Sequence, residues 1–222
     1  GEQMKTDRGE TISSGVVVIG GGASGLAAAL TVAEGGAKVI LFEKMGHAGG
    51  SSNFAEGMFA VESDMQRQRY INYSRDEAFK AIMDYSHWRA NPRLVRAFVN
   101  ESASTIGWLQ KQGVEFVGPM TNMPGGLRTW HVLKGPNEAI GSVMIKTLVA
   151  RAKENGVVLR LATEVKKIIG KGKRITGVIA EKEGKLERVD AKAVIVASGG
   201  YANNKEWIKK YAGFDLDVNV IP

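Results

Sequence analysis

Cysteine is absent from the 222 residues of this chain. The protein therefore has no disulfide bonds, no thiolate metal ligands and no cysteine nucleophile. Histidine is scarce as well, with three residues, and no histidine and acidic side chains share the spacing of a metal site. We therefore expect a fold without a bound metal.

Long hydrophobic runs are also missing. No apolar segment reaches the roughly 18 residues that a membrane-spanning helix needs, and the amino-terminal residues lack the apolar centre of a signal peptide. The sequence predicts a soluble, cytoplasmic protein without a membrane span. Residues 1–14 are polar and show no periodicity, which predicts a disordered leader and an ordered fold that starts at Gly15.

Positive charge is not concentrated in any one stretch, although the formal net charge is +7. Basic and acidic residues alternate over residues 181–188, which indicates a solvated pair of strands. No basic segment is interleaved with aromatic residues as in nucleic-acid-binding surfaces. We expect no nucleic-acid partner, and the positive field favours an anionic cofactor or a carboxylate substrate.

Glycine, in contrast, is abundant at 28 residues, and three glycines form a nucleotide-binding pattern. Gly20, Gly22 and Gly25 have the G-x-G-x-x-G spacing, between an aliphatic strand at residues 16–19 and a helix that includes Leu26. The first glycine permits a tight turn, the second lets a pyrophosphate approach the backbone, and the third lets the helix pack on the strand. The phosphates then bind at the helix N-terminus.

An acidic residue follows this turn at the distance that dinucleotide binding requires. Residues 38–42 form the second predicted strand, and Glu43 stands at its carboxyl end. A carboxylate about 20 residues beyond the glycine turn accepts hydrogen bonds from ribose hydroxyls. Strand, turn, helix and acid together predict a Rossmann-type nucleotide-binding unit.

The rest of the chain shows a mixture of helical and extended patterns. Apolar periodicity and capping residues predict helices over residues 75–88, 92–112, 137–155 and 204–211. Extended runs occur at 157–161, 164–169, 174–181, 185–189 and 193–197. Glycine turns at residues 171–173 and 183–184 predict that three of these strands form a meander. Residues 118–135 are rich in proline and glycine and predict an irregular loop.

Several further segments carry a family resemblance. They are Glu43-Lys44, Gly49-Gly50-Ser51, Phe54-Ala55-Glu56-Gly57-Met58, Trp108-Leu109 with Gly113-Val114, and Val196-Ala197-Ser198-Gly199-Gly200-Tyr201-Ala202. Together with the glycine turn, they resemble the FAD-binding part of the fumarate reductase and succinate dehydrogenase flavoprotein family. The likeness extends from about residue 15 to about residue 215.

The resemblance implies an α/β, FAD/NAD(P)-binding Rossmann-like domain with a central parallel sheet. This domain would occupy residues 15–200, with a helical insertion at about 63–135 and an inserted β-meander at about 164–190. Residues 201–222 would begin a truncated capping or substrate region.

The implied cofactor is non-covalent FAD. Members of the family use a second glycine stretch to lay backbone N–H groups against the pyrophosphate and flavin. Members with covalent flavin place a histidine at about Ser51, and His47 lies four residues too early for that role. Motif and resemblance together give these cofactor-binding residues: Gly20, Gly22, Ala23, Ser24, Gly25, Glu43, Lys44, Gly49, Gly50, Ser51, Ser52, Glu56, Gly57, Val165, Ala197, Ser198 and Gly199.

No catalytic residue is assigned within the chain. The family's proton-donating arginine and its carboxylate-binding histidines and arginine lie downstream of the strand that ends at Gly199. Arg128, Trp130 and His131 could face the flavin, but a structural histidine and a packing tryptophan are favoured. His87, at the end of a predicted helix, is expected to act as a partner of the helix dipole.

The function that follows is that of an FAD-dependent oxidoreductase of the fumarate reductase type. It would transfer hydride between flavin and an unsaturated or saturated carboxylate-type substrate, with an incomplete catalytic site in this chain. The expected partners are FAD and, in the full-length enzyme, a small-molecule substrate. Two alternatives stay open: a non-catalytic truncated dinucleotide-binding protein and an NAD-type Rossmann dehydrogenase.

Overall fold

The structure is a computed structural model that describes residues 12–121, 126–135 and 140–215. Predictions for residues 1–11, 122–125, 136–139 and 216–222, which include most of the expected leader, lie outside the described residues. The chain divides into two compact units. One comprises Gly1–Ser51 and Val149–Pro222, and the other Ser52–Leu148.

The described elements follow one another in this order: β1 (Ile12–Ile19), α1 (Ala23–Glu34), β2 (Val39–Phe42), a 3₁₀ turn (Gly50–Phe54), β3 (Gly57–Phe59), α2 (Asp64–Arg67), α3 (Arg75–Tyr85), α4 (Pro92–Lys111), β4 (Phe116–Met120), β5 (Trp130–Leu133), α5 (Ile140–Glu154), β6 (Val158–Arg160), β7 (Glu164–Lys171), β8 (Arg174–Lys182), β9 (Lys185–Val196) and α6 (Lys205–Ala212). The division between the two units falls within α5.

The first unit is built on a six-stranded sheet with the order β6-β2-β1-β9-β8-β7. The strands β6, β2, β1 and β9 run parallel, whereas β7, β8 and the first half of β9 form an antiparallel meander. The predicted fold class, a parallel α/β sheet with an inserted meander, is confirmed.

The core of this unit follows the alternation of side chains along the strands. Val17 pairs in register with Ile40, and both pack with the meander residues Val178 and Val189 on one face. Leu41, on the opposite face of β2, is also fully buried. Because consecutive strand residues point to opposite faces, strands buried on both faces appear in sequence as continuous aliphatic runs.

Two strand boundaries differ from the sequence predictions. β1 starts at Ile12, so Ser13 and Ser14 belong to the sheet and not to a disordered leader; the Ser14 hydroxyl donates to the Lys38 carbonyl at 3.0 Å. β9 is one strand of 12 residues, where two strands were expected. Its polar middle interrupted the apolar pattern, yet that middle is where the strand changes partner, from β8 to β1.

The second unit contains helices α2, α3 and α4 and a three-stranded antiparallel sheet of order β3-β5-β4. Its apolar core includes Val61, Ala78 and Val99. The prediction of an irregular loop over residues 118–135 is wrong for β4 and β5, which pair with each other. Pro119 is tolerated within β4 because β4 is an edge strand, where a missing N–H need not break the sheet.

The helix starts agree with the capping residues in the sequence. Asn91 caps α4, with Pro92 as its first residue, and Asn204 caps α6. Helix α3 ends at Tyr85, three residues before the predicted end. His87 and Trp88 have positive φ angles, and their N–H groups donate to the carbonyls of Asp84 and Met83, which closes the helix. His87 thus lies just beyond the helix and not within its last turn.

Candidate functional site

The first glycine turn is closed by backbone contacts that exclude a side chain. Gly20 has a φ of +104°, and a Cβ atom there would lie 2.3 Å from the Ala197 carbonyl oxygen. A Cβ atom on Gly25 would lie 1.9 Å from the Gly20 carbonyl oxygen. These contacts agree with the tight turn predicted at Gly20 and the close packing predicted at Gly25, while the contact of either glycine with a ligand stays a prediction.

The N-terminus of α1 follows directly from this turn. Gly22 is the N-cap, and no side chain caps the helix. The first turn contains no acidic residue, and Ser24 is exposed there. A helix N-terminus with this composition presents its positive dipole end to an anion without competition from a carboxylate.

The second glycine segment, Gly49-Gly50, packs directly against the first, Gly20–Gly25. The Gly49 N–H donates to the Gly21 carbonyl at 2.9 Å, and Gly22 and Gly49 form an isolated parallel bridge. Gly50, with a φ of +50°, has no atom within 4 Å of its Cβ position. The two glycine segments, far apart in sequence, therefore form one continuous surface of backbone.

Glu43 supports this arrangement in a way that the sequence did not reveal. Its carboxylate is 8% exposed; one oxygen accepts from the Gly21 N–H at 2.7 Å and the other from the Met45 N–H at 2.8 Å. Each oxygen retains a second lone pair for another donor. Glu43 thus fixes the glycine turn as well as standing at the carboxyl end of β2, next to the exposed Lys44.

The ends of two further strands lie beside this surface. The Ala197 N–H donates to the Ile19 carbonyl at 2.8 Å, after which Ser198 and Gly199 are exposed. Val165, half-buried near the start of β7, follows Thr163, whose N–H donates to the Glu43 carbonyl at 2.9 Å. The carboxyl edge of a parallel sheet is the usual ligand site of such folds. The structure thus brings most of the predicted residues of the first unit to this edge.

The remaining predicted residues, Ser52, Glu56 and Gly57, belong to the second unit. Glu56 is exposed, and its carbonyl accepts from the Leu133 N–H at 3.0 Å. A Cβ atom on Gly57 would lie 2.6 Å from the His131 carbonyl oxygen. Gly57 therefore has a packing role between β3 and β5.

His131 has the structural role that the sequence favoured. The imidazole is fully buried, with Nε2 at 2.7 Å from Ser63 Oγ and Nδ1 at 3.1 Å from the Thr129 carbonyl. Burial lowers the pKa of His131 below its usual value, and hydrogen bonds to backbone oppose this effect. Arg128 is exposed, and its carbonyl accepts from Gln66 Nε2 at 2.9 Å.

Comparison with known proteins assigns the family of this chain. Residues 15–218 match the family described as the FAD binding domain. The chain belongs to this family. The resemblance to fumarate reductase flavoproteins is confirmed by relatives that carry that name, and FAD, not NAD, is the dinucleotide of the family.

This FAD-binding domain has full-length relatives among reductases. It is 40% identical over 203 residues to the vinyl phenol reductase of Lactiplantibacillus plantarum, covering 90% of this chain and 40% of that protein. It is 34% identical over 207 residues to the NADH:fumarate oxidoreductase of Klebsiella pneumoniae, covering 91% of this chain and 22% of that protein.

A solved structure supports the same assignment. The FAD-binding domain superimposes on the open conformation of a flavocytochrome c3 fumarate reductase with a TM-score of 0.82 and 27% identity, over 92% of this chain and 37% of that chain. The chain thus spans less than half the length of each of these relatives. In the part of the chain that the structure describes, no helix has the length and apolar character to cross a membrane.

Proposed function

We propose that this domain binds FAD non-covalently at the edge where the carboxyl ends of β1, β2 and β9 meet. The hydrogen bond from the Gly49 N–H to the Gly21 carbonyl carries the proposal, because it joins the two glycine segments into one backbone surface. Side chains are excluded from the turn at Gly20 and Gly25, which suits a ligand that packs against backbone.

Each part of the edge suits a different part of the dinucleotide. The N-terminus of α1, from Gly22 to Gly25, is suited to the pyrophosphate because of its dipole and its lack of acidic residues. The free lone pairs of the Glu43 carboxylate suit the ribose hydroxyls of the adenosine half. The Val165 backbone is proposed to contact adenine.

Residues beyond Gly50 are proposed to approach the flavin half. In the first unit they are Ser51, Ala197, Ser198 and Gly199, whereas Ser52, Glu56 and Gly57 of the second unit stay predictions from the sequence. Since a serine at position 51 offers no imidazole nitrogen for a histidyl bond, the flavin is held by packing and hydrogen bonds alone. When bound, FAD supplies a flavin that accepts or donates a hydride.

The full-length protein is proposed to be a reductase that acts on a carbon–carbon double bond. Vinyl phenol and fumarate, for which two relatives are named, share such a bond, and only fumarate carries carboxylates. The carboxylate-type substrate expected from the sequence is therefore one of two candidate classes, beside an aromatic alkene. The residues of this chain would bind and orient the cofactor in that reaction.

A fluorescence titration with FAD tests the site. We expect Gly25→Ala to weaken FAD binding by at least tenfold, because the added methyl group would displace the Gly20 carbonyl and with it the glycine turn. Gly46→Ala is the matched control, because Gly46 lies between β2 and the second glycine segment but has no atom within 4 Å of its Cβ position. Far-UV circular dichroism checks that both variants fold.

A second substitution separates loss of the site from loss of the fold. Glu43→Gln keeps the size of the side chain and removes its charge, and we expect weaker FAD binding and relatively stronger NADP binding, because a carboxylate repels a 2′-phosphate.

Acid precipitation of FAD-loaded protein tests non-covalent binding and should release the flavin into the supernatant. Equal FAD affinities for the parent, Gly25→Ala and Glu43→Gln would place the cofactor elsewhere, and flavin retained in the pellet would contradict non-covalent binding.

A further inference from the structure

The six-stranded sheet divides at the end opposite the cofactor edge. Strand β8 pairs with β9 as far as Gly177 and Asp190, and the preceding residues of β8 pair with β7 alone. From that point β9 continues along β1. A Cβ atom on Gly177 would lie 2.1 Å from the Val189 carbonyl oxygen, so the two strands meet closely where they begin to separate.

A cleft of about 470 Å³ lies in this division, which we call the sheet fork. Its lining includes Lys171 and Arg174 on the β7–β8 hairpin, Arg188, Asp190 and Lys192 on β9, and Ser13 on β1. The hairpin arm thus carries Lys171 and Arg174, the β9 arm carries Lys192, and Arg188 lies where β8 and β9 are still paired. A cavity of this size is within the range of small-molecule sites.

The charge of the sheet fork is unbalanced. Asp190 is the one carboxylate among its lining residues, and it pairs with Arg188 at 2.8 Å. Within the residues that the structure describes, no ion pair joins Lys171, Arg174 or Lys192 to an acidic side chain. Like charges on two arms of one cleft repel each other, and a bound anion would offset that repulsion.

The sheet fork is separate from the cofactor site. Ser13 lies near the start of β1, and Gly20 follows the end of that strand. At about 3.3 Å per strand residue, the two positions are roughly 20 Å apart. The pyrophosphate of a dinucleotide at the glycine turn therefore does not reach the sheet fork.

We propose that the sheet fork binds a compact multivalent oxyanion, a phosphate-bearing or polycarboxylate small molecule, that bridges its two arms. Arginine guanidinium groups bind phosphate and carboxylate oxygens in a bidentate manner, and Arg174 has no acidic partner among the described residues. The Ser13 side chain, which lines the same cleft, offers an additional hydroxyl donor. The exposed lysines add attraction that weakens as the salt concentration rises.

An NMR titration of the full chain with pyrophosphate, and separately with citrate, tests this proposal. We expect saturable amide shifts at Gly172, Thr176, Gly177 and Ala191, which are weakened by added salt. Shifts at Gly20, Gly22 and Gly25 report the cofactor site in the same spectra, so the two sites are scored independently. Saturation by pyrophosphate alone identifies a phosphate-bearing ligand, and saturation by citrate alone identifies a polycarboxylate.

Paired substitutions show whether the cations are responsible. The double variant Arg174→Gln and Lys192→Gln should weaken binding at the sheet fork at least tenfold and leave shifts at the glycine turn unchanged. The control, Lys153→Gln with Lys205→Gln, removes the same charge from two exposed positions on other elements and should leave the affinity of the fork within about twofold. Absence of saturable shifts at the fork for both anions, or equal weakening by both double variants, would overturn the proposal.

Discussion

At the residue scale, two helical glycines of the second unit differ in whether the surrounding structure leaves space for a side chain. Gly107 lies in the interior of α4 and has no atom within 4 Å of its Cβ position. Gly141, at the start of α5, would place a Cβ atom 2.2 Å from the Ser52 carbonyl oxygen. Glycine is thus required for close packing at one position and not at the other.

We expect Gly107→Ala to raise the free energy of unfolding by roughly 0.5–1 kcal/mol, because alanine costs less backbone entropy in a helix. Gly141→Ala should lower it by about 1–3 kcal/mol, because the backbone of residues 52–55 must move. Urea denaturation of the two variants measures both effects. A loss of stability in Gly107→Ala would show that something else occupies the space above this glycine.

His131 gives the stability a pH dependence whose sign follows from its burial. The pKa of His131 is lowered in the fold, whereas in the unfolded chain it is about 6.5. As the pH falls below about 6.5, the unfolded chain gains a proton that the folded chain does not bind. Stability is therefore lost until the pH reaches the lower, folded pKa.

We expect the parent protein to lose more free energy of unfolding between pH 7.5 and pH 5.5 than the variant His131→Gln, which has no titrating ring. His47→Gln is the control, since His47 is exposed, and it should keep the parental pH dependence. Chemical denaturation at both pH values measures the difference. An identical pH dependence in parent and His131→Gln would mean that the ring is accessible to protons in the folded state.

At the scale of elements, capping boxes fix where helices of the second unit begin. In α3, Ser74 Oγ accepts from the Glu77 N–H at 3.2 Å, while the Glu77 carboxylate accepts from the Ser74 N–H at 2.8 Å. The same arrangement of Ser63 and Gln66 starts α2, where Ser63 also contacts His131. Local sequence thus sets the helix boundary, and one capping residue joins the helix to the sheet.

Replacement of Ser74 by alanine should lower the free energy of unfolding by about 1 kcal/mol, because the first turn of α3 loses its side-chain cap. Ser104→Ala is the matched control. Ser104 lies inside α4, where alanine has the higher helix propensity, so this variant should be neutral or slightly stabilising. If both variants lost equal stability, the cap would not be the cause.

At the scale of the whole molecule, the chain spans 40% of the vinyl phenol reductase and 22% of the NADH:fumarate oxidoreductase that it matches. We expect residues 1–222 alone to bind FAD without turning over an alkene. Positioned proton transfer typically contributes about 10²- to 10⁴-fold to such a rate. His131 is not available as the proton donor, because it is fully buried.

Anaerobic reoxidation of a reduced viologen, with fumarate and vinyl phenol as acceptors, measures the rate of alkene turnover. The expected result is no substrate-dependent rate above the FAD-only control, with the full-length protein as the positive control. Turnover that disappears in Arg128→Gln, with FAD binding retained, would place the reaction within this chain.

Local patterns allowed much of the fold and of the candidate site to be predicted. The glycine spacing, the acid at the end of β2, the second glycine stretch and the caps at Asn91 and Asn204 each involve a few consecutive residues or one known separation. Backbone sterics and capping hydrogen bonds act over those short distances, so a local sequence pattern is enough to predict these features. The meander was predictable for the same reason, since its turns are short and rich in glycine.

What the sequence alone determined is therefore the type and position of most elements, and it predicted the edge that we propose binds the dinucleotide. The tertiary structure decided the rest: β9 continues through its polar middle because it changes partner there, and β4 and β5 pair across a segment that looks irregular. Ser63 meets His131 across 68 residues, and Glu43 turns its carboxylate back to the Gly21 N–H. These contacts depend on which distant groups still need a hydrogen-bond partner once the chain is folded, and a local sequence pattern does not contain that information.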